Sequence, residues 1–152
     1  MKRIRTTKDC QVFHLLAQEK RLLFAVLKLY PMIPESHATL SKTGDSEALA
    51  EKEQFLREVL AEQRQQHQEK LRSLLNDSQW FTRCANGYRF TLSDTHREWL
   101  LQVLNDIRIG SWLKLGAPED YHCHKIPVTP KNARYLMAMD ICAFFQNAFM
   151  GN

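Results

Sequence analysis

Residues 45–75 contain no glycine and no proline, and this run constrains the fold more than any other feature of the chain. Asp45 or Ser46 can cap a helix, and Glu47 lies where the helix dipole favours negative charge, so we expect one long α-helix. Apolar residues recur along the run but are missing from residues 62–70. That gap predicts a solvent-exposed stretch or, alternatively, a surface that docks a partner. No heptad is sustained, so we do not expect a coiled coil.

Three further segments have helical patterns. Residues 17–29 are rich in helix formers and end before Pro31. A third helix, ending near residue 115, has N-cap candidates in residues 93–95 and capping-box spacing between Thr95 and Glu98, with Gly116 after its end. Thr129 followed by proline predicts the start of a last, apolar helix that runs to about Met150.

Two hairpins are predicted beside these helices. Asn86-Gly87 is the strongest hairpin signal in the chain, and residues 80–84 and 88–92 flank it. Residues 3–6 and 11–15 form a second extended pair that can join the first. We therefore expect a mainly α fold, a four-helix orthogonal or bundle-like domain with a minor antiparallel β element, as a single helical domain over residues 1–152.

Composition narrows the class of protein. A hydrophobic content of 44% and a charged content of 25% are ordinary for a packed globular chain. No apolar stretch reaches ~20 residues, which argues against a membrane span. No apolar segment follows the basic start, so we expect no secretory signal and a cytoplasmic location. The four cysteines are widely spaced, which favours reduced thiols over disulfides.

A helical stripe of apolar residues predicts the buried face of the third helix: Trp99, Leu100, Val103, Leu104, Ile107 and Ser111. Gly110 lies near this stripe and predicts close approach by another element. Asn105, Asp106 and Arg108 interrupt the apolar face of this helix, and Asp140 interrupts that of the last helix. We interpret them as a buried structural network in which Arg108 pairs with Asp106 or Asp140 and Asn105 binds loop backbone; the alternative is a ligand site.

His122-Cys123-His124 is the only tight cluster of metal-capable side chains. Cys84 or Cys142 could complete a tetrahedral shell, although the spacing matches no standard zinc signature. A redox-responsive Cys123 is a second interpretation, and an ordinary loop cysteine is a third. The dinucleotide, P-loop, zinc-protease and serine-hydrolase motifs are missing, so we expect a non-catalytic protein without a cofactor.

The N-terminal arm carries Lys2, Arg3, Arg5 and Lys8 with no acidic residue before Asp9, which matches the formal net charge of +4. Such an arm can contact phosphate or an acidic partner, and it can equally solubilise a terminus or protect an edge strand. The phosphate interpretation predicts nucleic-acid binding that weakens steeply with salt.

Residues 99–116, WLLQVLNDIRIGSWLKLG, resemble a motif of an uncharacterised bacterial family, domain of unknown function twenty-seventeen. The resemblance implies a bacterial cytosolic protein, often encoded near an adaptor of the Clp protease, and implies no reaction. Our leading hypothesis is therefore a non-catalytic interaction or regulatory protein, linked to stress response or Clp-type proteolysis, whose partner is a protein or a second copy. The alternatives are a nucleic-acid-binding regulator that uses the basic arm, and a thiol-redox or metal-sensing protein.

Overall fold

The computed structural model describes residues 1–33, 47–76, 78–119 and 126–151. Over these ranges the chain forms four α-helices, one short 3₁₀ turn (Ser78–Trp80) and a four-stranded antiparallel sheet. In chain order the elements are β1 (Lys2–Thr6), β2 (Cys10–Leu15), α1 (Ala17–Leu27), α2 (Glu47–Asn76), β3 (Phe81–Cys84), β4 (Gly87–Ser93), α3 (Asp94–Lys114) and α4 (Ala133–Met150). The predicted mainly α fold with a minor β element is confirmed. The predicted caps Asp45 and Ser46 lie outside the described residues.

Both predicted hairpins form, and they join through β2 and β4 to give the strand order β1-β2-β4-β3. The turn of the second hairpin lies one residue earlier than its sequence signal indicates, because Gly87 is already paired with Cys84. Gly87 has a φ of +146°, and a Cβ there would overlap the carbonyl oxygen of Leu15. The glycine is therefore required by the close approach of β2 as well as by the turn.

The helices cover one face of this sheet. Phe13 and Phe90 are opposite each other in the register of β2 and β4 and are fully buried. The ring of Phe149 in α4 packs edge-on to Phe13, with centroids 5.3 Å apart, while Phe81 stacks on Phe90 at 4.4 Å. Each such side chain contributes about 1.5–3 kcal/mol by leaving water. The core thus lies between the sheet and the helices.

Helix α3 buries the predicted stripe, and Gly110 is buried with it. A Cβ on Gly110 would lie 2.8 Å from the carbonyl carbon of Met32, which confirms the predicted close approach by another element. The helix starts within the predicted range of N-cap candidates. Of the three N-cap candidates, Ser93 is the N-cap, and its hydroxyl accepts a hydrogen bond from the His96 amide at 3.2 Å, whereas Thr95 of the predicted capping box lies inside the helix.

The first residue of α4 is Ala133, later than predicted. The preceding turn still uses Thr129, whose hydroxyl accepts from the Asn132 amide at 3.3 Å, while the Asn132 side-chain oxygen accepts from the Thr129 amide at 2.7 Å. This reciprocal pair is the hydrogen-bonding arrangement of a capping box, with asparagine in the place of glutamate.

Among the described residues of α2, the buried side chains are those of Leu71 and Leu74, so the helix packs on the core through its C-terminal half. The composition of the apolar-poor stretch 62–70 predicts that it is exposed to solvent. In the structure, part of this stretch is half-buried instead. Arg64 donates to the carbonyl of Ile33, and His67 is half-buried. The N-terminal half instead exposes Phe55.

Candidate functional site

The sheet has a second face that the core does not use. On β2, Gln11, Phe13 and Leu15 are buried, so the intervening side chains point to the opposite face. The same alternation on β4 buries Phe90 and leaves Arg89 exposed. We call this second surface the outer face.

Four side chains form a row straight across the outer face, one from each strand. Lys2 is opposite His14, His14 is opposite Arg89, and Arg89 is opposite Thr82. Neighbouring strands lie about 4.8 Å apart, so the row spans roughly 15 Å. Three of its four members are basic side chains, and the fourth carries a hydroxyl group.

A β-bulge in the edge strand adds a second cation to this face. Side chains alternate along a strand, so Lys2 and Arg5 would ordinarily point to opposite faces. The register shifts between Arg3 and Arg5, and Arg5 is thereby placed opposite Val12, in a second row that continues to Thr91. The bulge therefore places both Lys2 and Arg5 on the outer face.

The charge of the sheet is of one sign. The four strands together contain five lysine or arginine residues and no aspartate or glutamate. Asp9, in the turn between β1 and β2, is the nearest acidic residue along the chain to the first two strands. A face with several cations and no carboxylate presents a positive potential that attracts an anionic partner from solution.

The basic residues of the N-terminal arm do not all lie on the outer face. Lys2 and Arg5 lie on the outer face, and Lys8 is exposed in the following turn. Arg3 is in register with Phe13 on the other side, and its guanidinium lies beside Gly151, the C-cap of α4, where an added Cβ would overlap it. A cation there stabilises the negative end of the helix dipole, so Arg3 has a structural position.

The interpretation of the α3 and α4 polar residues as a buried network is wrong for Asn105, Arg108 and Asp140, which are exposed. Each residue turns a helix by about 100°, so positions 105 and 108 flank the buried stripe rather than lie on it. Arg108 donates to the side-chain oxygen of Gln146 at 3.2 Å. Asp106, not Asn105, binds the loop backbone.

Asp106 anchors the segment that follows α1. Its carboxylate accepts from the Met32 amide at 2.7 Å and from the Ile33 amide at 3.4 Å. Beside it the hydroxyl of Tyr30 lies 3.3 Å from Nδ1 of His67. Burial raises the pKa of Tyr30 and lowers the pKa of His67. These contacts join α1, α2 and α3, and they give the cluster a structural role.

Sequence reasoning missed this cluster, although a signal was present. Leu60, Arg64, His67, Leu71 and Leu74 follow one another at spacings of three and four residues, which marks one face of α2. The polar side chains at 64 and 67 continue the apolar stripe, and the segment 30–33 packs on them.

The thiol and metal candidates are not brought together among the residues that the structure describes. Cys142 is buried in α4, where desolvation raises its pKa to about 12 and keeps it a thiol. Cys84 is half-buried at the end of β3. His122, Cys123 and His124 lie outside the described residues. Within the described ranges, no three His, Cys, Asp or Glu side chains are grouped so that they could hold a metal ion.

No family model, no curated protein and no solved structure matches this chain. The resemblance of residues 99–116 to a bacterial family, and the link to Clp-type proteolysis that it implies, therefore stay predictions. In the part of the chain that the structure describes, no helix combines the length and apolarity needed to cross a membrane.

Proposed function

We propose that this protein binds a single-stranded nucleic acid across the outer face of its sheet. The observation that carries the proposal is the row of Lys2, His14, Arg89 and Thr82, which crosses all four strands without a carboxylate. Lysine and arginine neutralise phosphates and release bound counterions, which is the main source of affinity for nucleic acids. Histidine and arginine can also stack on unpaired bases.

The dimensions of the face favour a single strand over a duplex. A four-stranded sheet about 15 Å wide accommodates a few nucleotides laid across it, as in other sheet-based RNA-binding modules. Thr82 and Thr91 add hydroxyl groups that can bond to sugars or base edges, and both are exposed. A face of this kind gives modest sequence preference and strong salt dependence.

The proposal is tested by the fluorescence anisotropy of a labelled, unstructured oligonucleotide over a series of salt concentrations. The slope of log affinity against log salt is about −0.7 for each phosphate contact with a single strand. Lys2→Gln combined with Arg89→Gln should therefore make the slope shallower by about 1.4 and weaken binding on the order of 25-fold at about 0.1 M salt.

A matched control removes two exposed cations from other surfaces, Lys114→Gln with Lys131→Gln. It should keep most of the affinity. If both double variants lose the same amount of affinity, net charge alone explains the loss, and the proposal is contradicted. No binding by the wild type would also overturn it, as would tighter binding to a duplex or to an acidic peptide than to the single strand.

A second function, self-association through α2, is favoured by a different observation. Phe55 is 67% exposed and Val59 is 43% exposed, on the N-terminal half of α2, away from the buried Leu71 and Leu74. Ala48, Lys52 and Glu62 share this helical face at spacings of three and four residues. An antiparallel pairing of two copies about residue 57 places Phe55 opposite Val59 and Lys52 opposite Glu62, so the face is complementary to itself.

Sedimentation velocity over a range of protein concentrations tests the pairing. The wild type should form a dimer that dissociates on dilution, and Phe55→Ser should shift the equilibrium to the monomer. Gln54→Ser changes a neighbouring exposed side chain on another side of the helix and should leave the dimer intact. A wild type that is monomeric at every concentration rules this function out.

A further inference from the structure

A cleft of ≈620 Å³ lies between α1 and the second hairpin, on the side of the sheet that faces the helices. Its walls carry three cations, Lys20, Arg21 and Lys28, together with the aromatic rings of Phe24 and Tyr88. None of the described residues that line it is acidic. The lining therefore combines positive charge with flat apolar surface, which is the combination that single-stranded nucleic acids bind.

Lys20, one of the cations that line the cleft, is held by aromatic rings. Its ammonium group lies 4.1 Å from the ring centre of Tyr88, 4.6 Å from that of Phe81 and 5.3 Å from that of Phe24. Cation–π attraction to three rings positions the charge without neutralising it. The ammonium group remains available to attract an anion.

The other two cations that line the cleft, Arg21 and Lys28, follow one another along α1. Lys28 is the C-cap of α1 and comes seven residues after Arg21, which corresponds to about 10 Å along the helix axis. Two charges at this separation suit an extended chain of phosphates better than one compact anion. The acidic residue of this helix, Glu19, is already engaged, because its carboxylate accepts from the Leu16 amide at 2.7 Å and from the terminal ammonium of Met1.

Edge strand β3 connects the cleft with the outer face. Arg83 is exposed and is opposite Tyr88, so it lies on the cleft side of the sheet. Thr82, one residue earlier, ends the row on the outer face. Positive charge therefore continues from Arg89 around the edge of the sheet to Arg83 and on to Lys20.

We propose that the nucleic-acid strand that crosses the outer face turns around β3, and that its next nucleotides lie in this cleft with their phosphates on Arg21 and Lys28. This inference rests on the proposed function, since it extends the same strand. It predicts that affinity grows with length beyond the few nucleotides that the outer face holds.

The test compares oligonucleotides of about four and about twelve nucleotides on the wild type and on Arg21→Gln combined with Lys28→Gln. Both replaced side chains are exposed, so the variant should fold, and circular dichroism checks this. The variant should bind the short oligonucleotide as the wild type does. It should bind the long one more weakly, on the order of 25-fold at about 0.1 M salt, while the Lys114→Gln and Lys131→Gln control loses little.

The outcomes separate this inference from the proposed function. If the wild type binds the short oligonucleotide and the Arg21 and Lys28 variant binds the long one with unchanged affinity, the cleft is not on the path and only the extension fails. If the variant loses the short oligonucleotide as well, the cleft is the primary site and the path around β3 is wrong. If the wild type binds neither oligonucleotide, the proposed function itself fails.

Discussion

Replacing Gly110 by alanine tests how α3 packs against the segment that follows α1. In an ordinary helix interior this change stabilises by about 1 kcal/mol, because alanine has the higher helix propensity. Here the new Cβ would lie 2.8 Å from the carbonyl carbon of Met32 and 3.1 Å from its Cα, and nearer still to its Cβ. The atoms next to it include backbone, so the two elements must separate. Overpacking of this kind costs about 3 kcal/mol at the upper end of its usual range.

The net expectation is a loss of about 2 kcal/mol in the free energy of unfolding, which lowers Tm by roughly 4–8 °C for a chain of this length. Urea denaturation followed by circular dichroism measures it. Asn105→Ala, on the exposed side of the same helix, should change stability by no more than about 0.5 kcal/mol. A Gly110→Ala protein as stable as the wild type, or more stable, would refute the close packing of Met32 on α3.

Three further predictions concern polar and thiol groups. Asp106→Ala removes the acceptor of the Met32 amide and should destabilise by about 1–3 kcal/mol in urea, whereas Asp106→Asn keeps an oxygen and should cost less. Burial and the nearby Lys70 lower the pKa of His67 below its usual 6.5, so the unfolded chain binds the proton more readily. The free energy of unfolding should therefore fall as the pH drops below about 6.5, and it should fall less in His67→Gln. A pKa of His67 at or above 6.5, measured by NMR titration, would contradict this. Cys142, whose pKa is raised to about 12, should resist alkylation in the native protein and react after unfolding, as read by peptide mass spectrometry.

The sequence predicts the elements whose causes are local. The long helix follows from a run without glycine or proline, and the second hairpin follows from Asn86-Gly87. The stripe on α3 and the close approach at Gly110 also follow from spacing along one helix. Each of these features depends on neighbours a few residues away.

The features that the sequence predicts poorly depend on distant partners. The stretch 62–70 looks solvent-exposed by composition, yet His67 packs because Tyr30 and Trp99 reach it from other elements. The pattern on α3 predicts that Arg108 is buried and that Asn105 binds the loop backbone. The rotation of the helix instead leaves Arg108 exposed and turns Asp106 towards the Met32 amide.

The outer face also depends on residues that are distant in the sequence. The basic residues of the arm are visible in the sequence, but their alignment with His14 and Arg89 depends on the pairing of four strands. The bulge that places Arg5 on the same face as Lys2 has no signature in the local sequence. The site therefore emerges only when strand order and register are known.

The most direct test of the central claim is to map amide chemical shifts by NMR while an unstructured oligonucleotide of about eight nucleotides is added. Binding across the outer face predicts the largest shifts in the four strands, centred on Arg5, His14 and Arg89 and reaching Thr82, and small shifts in the N-terminal half of α2 and in α4. Shifts confined to α2 or α4, or no shifts at a saturating concentration of the oligonucleotide, would contradict the claim.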